Sequence, residues 1–121
     1  MSNDLAFWRP EGPITGRPVD TYRRLAQMEP VDGVAELSAE AVKAAFLAEF
    51  SDLKEEGPAL LGPGFSVIME PPLRAVIVTC SWKLAARPDV LGKILRAGRE
   101  GLGCCSFDPQ SGAYRDPVTS G

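Results

Sequence analysis

Three observations in this sequence predict an α+β fold of the ferredoxin-like, split βαβ kind. First, turn signals and hydrophobic periodicity give the element order βααββαβ, which becomes βαββαβ if the two early helices form one crossover. Second, each of the four strand segments has one side more apolar than the other, as a sheet covered by helices on one face requires. Third, 121 residues fit a single domain, 1–121, with one hydrophobic core. The expected sheet is four-stranded and antiparallel or mixed. Its first and third strands are expected to be parallel and central, and its second face open.

The elements follow in order. Asp4–Trp8 (DLAFW) alternates Leu5 and Phe7 against Ala6 and Trp8 and is stopped by Pro10 and Gly12. A short helix is predicted from about Val19 to Met28, with Pro18 near its first turn and Tyr22, Leu25 and Ala26 as its buried stripe. Pro30 ends it, and Asp32-Gly33 is a turn. The second helix is capped by Ser38, with Glu40 in the first turn where the dipole favours an acid. Val42, Ala45, Phe46, Phe50 and Leu53 recur at helical spacing and carry it to about Lys54. The stretch GPALLGPG then reads as a loop with an apolar middle, Ala59–Leu61. Phe65–Glu70 and the β-branched Arg74–Trp82 form a hairpin around Pro71-Pro72. The last helix runs from about Pro88 to Glu100, with Leu91, Ile94, Leu95 and Gly98 on its apolar side. Gly103–Phe107 is the final strand, residues 108–112 turn the chain, and the tail from about 113 is expected to be loosely held.

The core-facing set predicted for the strands is Leu5 and Phe7; Phe65, Val67 and Met69; Val76, Val78 and Cys80; Cys105 and Phe107. The opposite side then carries small or polar residues, including Ser66, Glu70, Thr79, Cys104, Ser106 and Asp108, with Trp8, Ile68 and Ile77 as apolar exceptions. Two readings stand for Trp8: an aromatic anchor for a partner, or a ring tucked under the following proline-rich loop.

Composition narrows the function. The chain is 45% hydrophobic and 24% charged, ordinary for a soluble protein, and carries a formal charge of −3. No basic face is visible, and the open side offers one stacking aromatic, which argues against nucleic acid as a partner. No apolar run approaches the ~18 residues of a membrane span, and no signal peptide is read at the N-terminus. Three cysteines, an odd number, suit a reduced, cytoplasmic setting. With no histidine, Ser-His-Asp and Cys-His arrangements are excluded within this chain.

Adjacent residues of a strand point to opposite faces, so Cys104 and Cys105 are not a pair. Neither C-x-x-C spacing nor a second cysteine cluster is present, so no metal site is assigned. Cys80 and Cys105 are expected inside as small apolar residues. GPALLGPGF lacks a Lys-Ser/Thr ending and is not a P-loop. Asp52, Glu55 and Glu56 read as a solvated helix end that would also suit a basic partner.

The opening SNDLAFW and the closing GLGCCSFDPQSG resemble a group of small bacterial proteins that begin M-S-x-D-L-x-F/V-W and end with a strand followed by D-P-Q. The matched positions are Asp4, Leu5, Phe7, Trp8, Asp108, Pro109 and Gln110, and the strand ending in Ser81-Trp82 is similar in character. Several of that group resemble immunity proteins of polymorphic toxin systems, or neighbours of them, and the resemblance implies a toxin secreted by a contact-dependent or type VI system. The resemblance implies a non-catalytic inhibitor, without a cofactor, that blocks the active site of a cognate protein toxin. The candidate partner-contacting residues are Trp8, Asp52, Glu55, Glu56, Glu70, Trp82 and Asp108. Monomer and homodimer both remain open. Two alternatives stand beside this reading: a small ferredoxin-like enzyme or ligand-binding domain, and a module that self-associates through the open face.

Overall fold

A computed structural model describes residues 2–12, 14, 16–69, 73–81 and 87–117. It is α+β. Strand β1 is Ser2–Trp8; helices α1 and α2 are Pro18–Ala26 and Ala39–Glu49; strands β2 to β5 are Lys54–Glu56, Ala59–Gly62, Phe65–Ile68 and Val76–Ser81. Helix α3, Pro88–Arg96, continues as a π-helical turn over Ala97–Gly101, and strands β6 and β7 are Cys105–Asp108 and Ala113–Arg115. Among the described residues the sheet has seven strands in the order β2-β3-β4-β5-β1-β6-β7, not four, and every pairing is antiparallel. The expected parallel pair is therefore replaced by an antiparallel one. Ser2 stands opposite Ser81 and Phe7 opposite Val76. Strand β1 separates β5 from β6, which run the same way and are joined through α3; β5 likewise separates β1 from β4.

Two of the three extra strands, β2 and β3, come from short hairpins whose turns lie in the stretch read as a loop. Gly57-Pro58 turns the chain between Glu56 and Ala59, and Gly57 adopts φ 57°, which suits a tight hairpin turn. Pro63-Gly64 turns it again between Gly62 and Phe65; proline first and a glycine at φ 83° second is the type II pattern. Both prolines sit in turns, so Ala59–Gly62 keeps its donors and forms a strand. At the other edge Asp108 Oδ1 accepts from the Gln110 amide at 3.0 Å, and the Gly112 amide reaches the Asp108 carbonyl at 2.7 Å. That turn brings Ala113–Arg115 back onto β6, so the first residues of the expected loose tail are an edge strand.

Helix α2 starts as its cap predicts, with Ser38 Oγ accepting from the Ala41 amide at 3.0 Å, a bond worth about 1 kcal/mol. It ends at Glu49 rather than near Lys54, because Phe50 takes extended backbone and the chain reverses into β2. Phe50 still reaches the core, its ring 4.9 Å from that of Phe65. Helix α1 begins with Pro18 in its first turn, Asp20 at its positive end and Arg23 and Arg24 at its negative end. The pair Arg96 Nε to Glu49 Oε1, at 2.7 Å, links α3 to α2 and is worth at most about 1 kcal/mol at this exposure.

The helices do not share one face. Phe7, Val76, Val78, Cys80, Phe65 and Val67 pack under α2 and α3 with Val42, Phe46, Val90 and Ile94. Ala6, Trp8, Cys105 and Phe107 form a second, smaller core on the other side, under Leu25, Val19 and Tyr22 of α1. The expected face of the last strand is thus inverted. Trp8 stands opposite Cys105 and Ala6 opposite Phe107, so the register with β1 turns both toward α1. Cys104 lies with Phe7 in the main core, and Cys105 lies beneath α1. The two sulfurs do point apart as adjacent residues should, but both thiols are buried.

Candidate partner-binding surface

The residues singled out from the sequence are scattered. Trp8 is 1% exposed and packs on Phe107 and Tyr114, at ring separations of 6.0 and 6.2 Å. It is a core residue and offers no surface to a partner. Ile14, Pro18 and Thr21 share a shallow pocket with its ring, so it tucks beneath the chain that follows it. Asp52 is exposed in the turn after α2. Glu55 and Glu56 are exposed on β2, an edge strand and not a helix end, with Glu55 paired to Lys43. Asp108 is spent on its own turn. Strands β2 and β6 are five steps apart across the sheet, about 24 Å at ~4.8 Å per step. The acidic candidates therefore do not form one patch with Asp108. Glu70 and Trp82 lie outside the described residues.

The thiols are placed for packing and not for chemistry. Desolvation pushes Cys80 up to about 11 and Cys104 up to about 12, and burial raises Cys105 as well. Thiolates are the reactive form, so these sulfurs are poor nucleophiles at neutral pH. Cys80 and Cys105, expected inside on one core face, are divided by the sheet. Among the described residues, no group of three or more Cys, Asp or Glu is placed to hold a metal ion, and no helix is long and apolar enough to cross a membrane.

Among the described residues, the second sheet face is less covered on its β4 and β5 side. Helix α1 lies across the β1 and β6 side, where Tyr22 meets Phe107 at 5.5 Å, and beyond it Ile68 of β4 and Thr79 of β5 are exposed among the described residues. Leu25, Ala26 and Met28 form one wall of a groove of about 260 Å³, with Ile68, Ile77 and Thr79 as its floor. Met28 is 53% and Ile68 47% exposed, although both are large and apolar. Exposed apolar side chains grouped in a groove mark interaction sites more often than isolated ones do.

Two further features lie at or beside this groove. Met28 has φ 63°, and it alone among the described non-glycine residues has positive φ. That left-handed backbone costs an L-residue with a Cβ roughly 1–2 kcal/mol. It follows from the helix end: Met28 N bonds to Leu25 O and Glu29 N to Arg24 O, which closes α1 and turns the Met28 side chain outward. Beside the groove, outside its lining, Asp4 stands directly across from Thr79 and on the same face. Its Oδ1 is shut off from solvent and meets no donor among the described residues. An unsatisfied buried acceptor of this kind costs on the order of 1–3 kcal/mol. Tyr22 is close enough that burial and the Asp4 charge together raise its hydroxyl pKa.

A larger polar cleft, about 540 Å³, lies between α1 and residues 30–32. Asp20 and Asp32 balance Arg23 and Arg24 there, so it favours no one charge. Sequence reasoning named Ile68 and Ile77 as apolar exceptions on a polar face, and both line the groove. It missed Met28. The one signal for Met28 was its position between a helix and Pro30. Comparison with protein-family models, curated proteins and solved structures returns no match.

Proposed function

We propose that this chain is a non-catalytic inhibitor of the immunity-protein kind, which binds a cognate bacterial toxin and blocks its active site. In this reading the inner strands β4-β5-β1-β6 keep the ferredoxin-like strand order, with the central pair antiparallel and helices on both faces, and are extended by a hairpin at one edge and a strand at the other. The partner sits on the less covered side of the second face. One observation carries the proposal: Met28 and Ile68, both exposed, line one apolar groove of a small acidic domain. Buried, raised-pKa thiols and the lack of histidine support a binding role over a catalytic one. At about 260 Å³ the groove is small for a drug-sized ligand, which favours a side chain of a protein as its occupant. A stable complex buries roughly 1,200–2,000 Å², so the groove would be the anchor of a wider contact.

The test is co-expression with the product of the adjacent gene in a sensitive bacterial strain. The wild-type chain is expected to restore growth and Ile68→Asp to abolish protection, with the melting temperature of the variant unchanged. Glu56→Gln, on the far edge, is expected to protect fully. Full protection by Ile68→Asp, or full resistance of cells lacking this gene, would overturn the proposal.

A further inference from the structure

The charges that line the groove balance. Glu29 stands beside Met28 on the α1 wall, and Arg74 lies where the chain enters β5. Among the described residues neither takes part in an ion pair, with the other or with any further side chain. The groove also sets a projection beside a hollow. Met28 is turned outward by its left-handed backbone, and the floor of Ile68, Ile77 and Thr79 lies open next to it. One patch therefore carries an apolar knob, a hollow for one side chain, and one unpaired charge of each sign. A two-fold contact between identical copies requires this, because every element of the patch must meet its complement on the same patch of the other copy. Methionine suits the knob, since its unbranched, polarizable side chain adapts to an irregular hollow.

We infer that, in the absence of a toxin, a second copy of this chain covers the groove in a symmetric dimer. Met28 of each copy seats on Ile68 and Ile77 of the other, and Glu29 of each meets Arg74 of the other. This inference rests on the reading of the groove as the partner surface and adds its regulation. Dimer and toxin complex use one face and exclude each other, so self-association lowers the apparent affinity for the toxin. It also keeps the exposed apolar side chains out of water until the toxin arrives. A contact anchored on so few side chains is weak, with a dissociation constant of about 10–100 μM, and a tight-binding toxin displaces it.

The test is sedimentation of the chain alone, without a toxin. From about 1 μM to about 1 mM it is expected to show a monomer–dimer equilibrium. Glu29→Arg and Arg74→Glu should each weaken the dimer by about tenfold or more, because each sets like charges together twice across the two-fold axis. Mixed in equal amounts, the two variants should pair with each other about as tightly as wild type, since the reversal on one copy complements the reversal on the other. If Arg74→Glu does not fold, a mixture of isotopically labelled and unlabelled native chain gives the same answer. Isotope-filtered NOEs should join the Met28 methyl of one copy to the Ile68 and Ile77 methyls of the other. A chain that stays monomeric to about 1 mM, a dimer that neither reversal changes, or a dimer without those NOEs overturns the inference and leaves the toxin reading to its growth assay. Such a dimer together with full protection by Ile68→Asp keeps the self-pairing and removes the toxin from this face.

Discussion

Gly98 and Gly92 lie on one helical segment, and alanine at each should move stability in opposite directions. A Cβ on Gly98 would stand 2.3 Å from Phe7 Cδ1, 2.5 Å from Cε1 and 2.7 Å from Cγ. Ordinary carbon contacts are about 3.5–4.0 Å, so the ring or the helix must move by more than ~1 Å. Neither moves freely. Phe7 is fully buried on the strand between β5 and β6, and the Gly98 carbonyl holds the Cys104 amide at 3.1 Å. Overpacking of this kind costs roughly 1–3 kcal/mol, against a helix-propensity gain of up to about 1 kcal/mol for removing a glycine. A net loss of about 1–2 kcal/mol is expected. Gly92, exposed on α3, has nothing within 4 Å of the same added carbon. There Gly92→Ala keeps only the gain, about 0.4–1 kcal/mol. Thermal or urea melts read both; at about 3–5 °C per kcal/mol for a chain of this length, Gly98→Ala should melt several degrees below wild type and Gly92→Ala a few degrees above. In a double-mutant cycle, Phe7→Leu should cost less in the Gly98→Ala background than alone. If Gly98→Ala melts at or above wild type, the proposed close packing of this turn on Phe7 is wrong.

Four other outcomes are expected. Met28→Gly relieves the left-handed backbone and should stabilise the fold by about 1 kcal/mol in a denaturant titration, while weakening toxin protection in the growth assay. The three thiols should resist an aromatic disulfide reagent in the native protein near pH 8 and all react once urea unfolds it. Because the folded thiols at Cys80 and Cys104 ionise near 11 and 12 while unfolded ones ionise near 9, the unfolded state releases protons first as pH rises. This contribution to stability is therefore intact below about pH 8.5 and falls between about 9 and 12, which melts taken across that range will show. Asp108→Ala removes the acceptor for the Gln110 amide and should loosen β7 by about 0.5–1.5 kcal/mol, visible as faster hydrogen exchange at Ala113–Arg115 with the inner strands unaffected.

The reach of sequence reasoning varied with how local the signal was. Ser38 predicted the start of α2, and the β-branched run at 76–79 predicted β5, because both depend on near neighbours. The end of α2 was misread because Phe50 and Leu53 kept helical spacing while reaching the core from non-helical backbone. In GPALLGPG the punctuation was visible, yet two-residue turns flanking a four-residue strand have the same composition as a loop. The face of β6 depends on which residue stands opposite Trp8, a pairing across the chain that no local pattern encodes. Of the groove, Ile68 and Ile77 were legible as apolar residues on a polar side. Met28 matters only because of where α1 lands, and that placement is set by the second core.

The position of β1 has a consequence for how the chain reaches this structure. Its neighbours are β5 and β6, so Trp8 and the sulfur that donates to its carbonyl, Cys105, are 97 positions apart. A nascent chain emerging from the ribosome therefore carries β1 unpaired while α1, α2 and the β2–β4 hairpins are made. Its apolar side chains find both neighbours only when β6 has emerged. Ladders closed over such separations fold slowly, in milliseconds to seconds, since the loop entropy is lost before the contacts form. Quenching or a blue shift of Trp8 emission should therefore be among the last signals to settle during refolding.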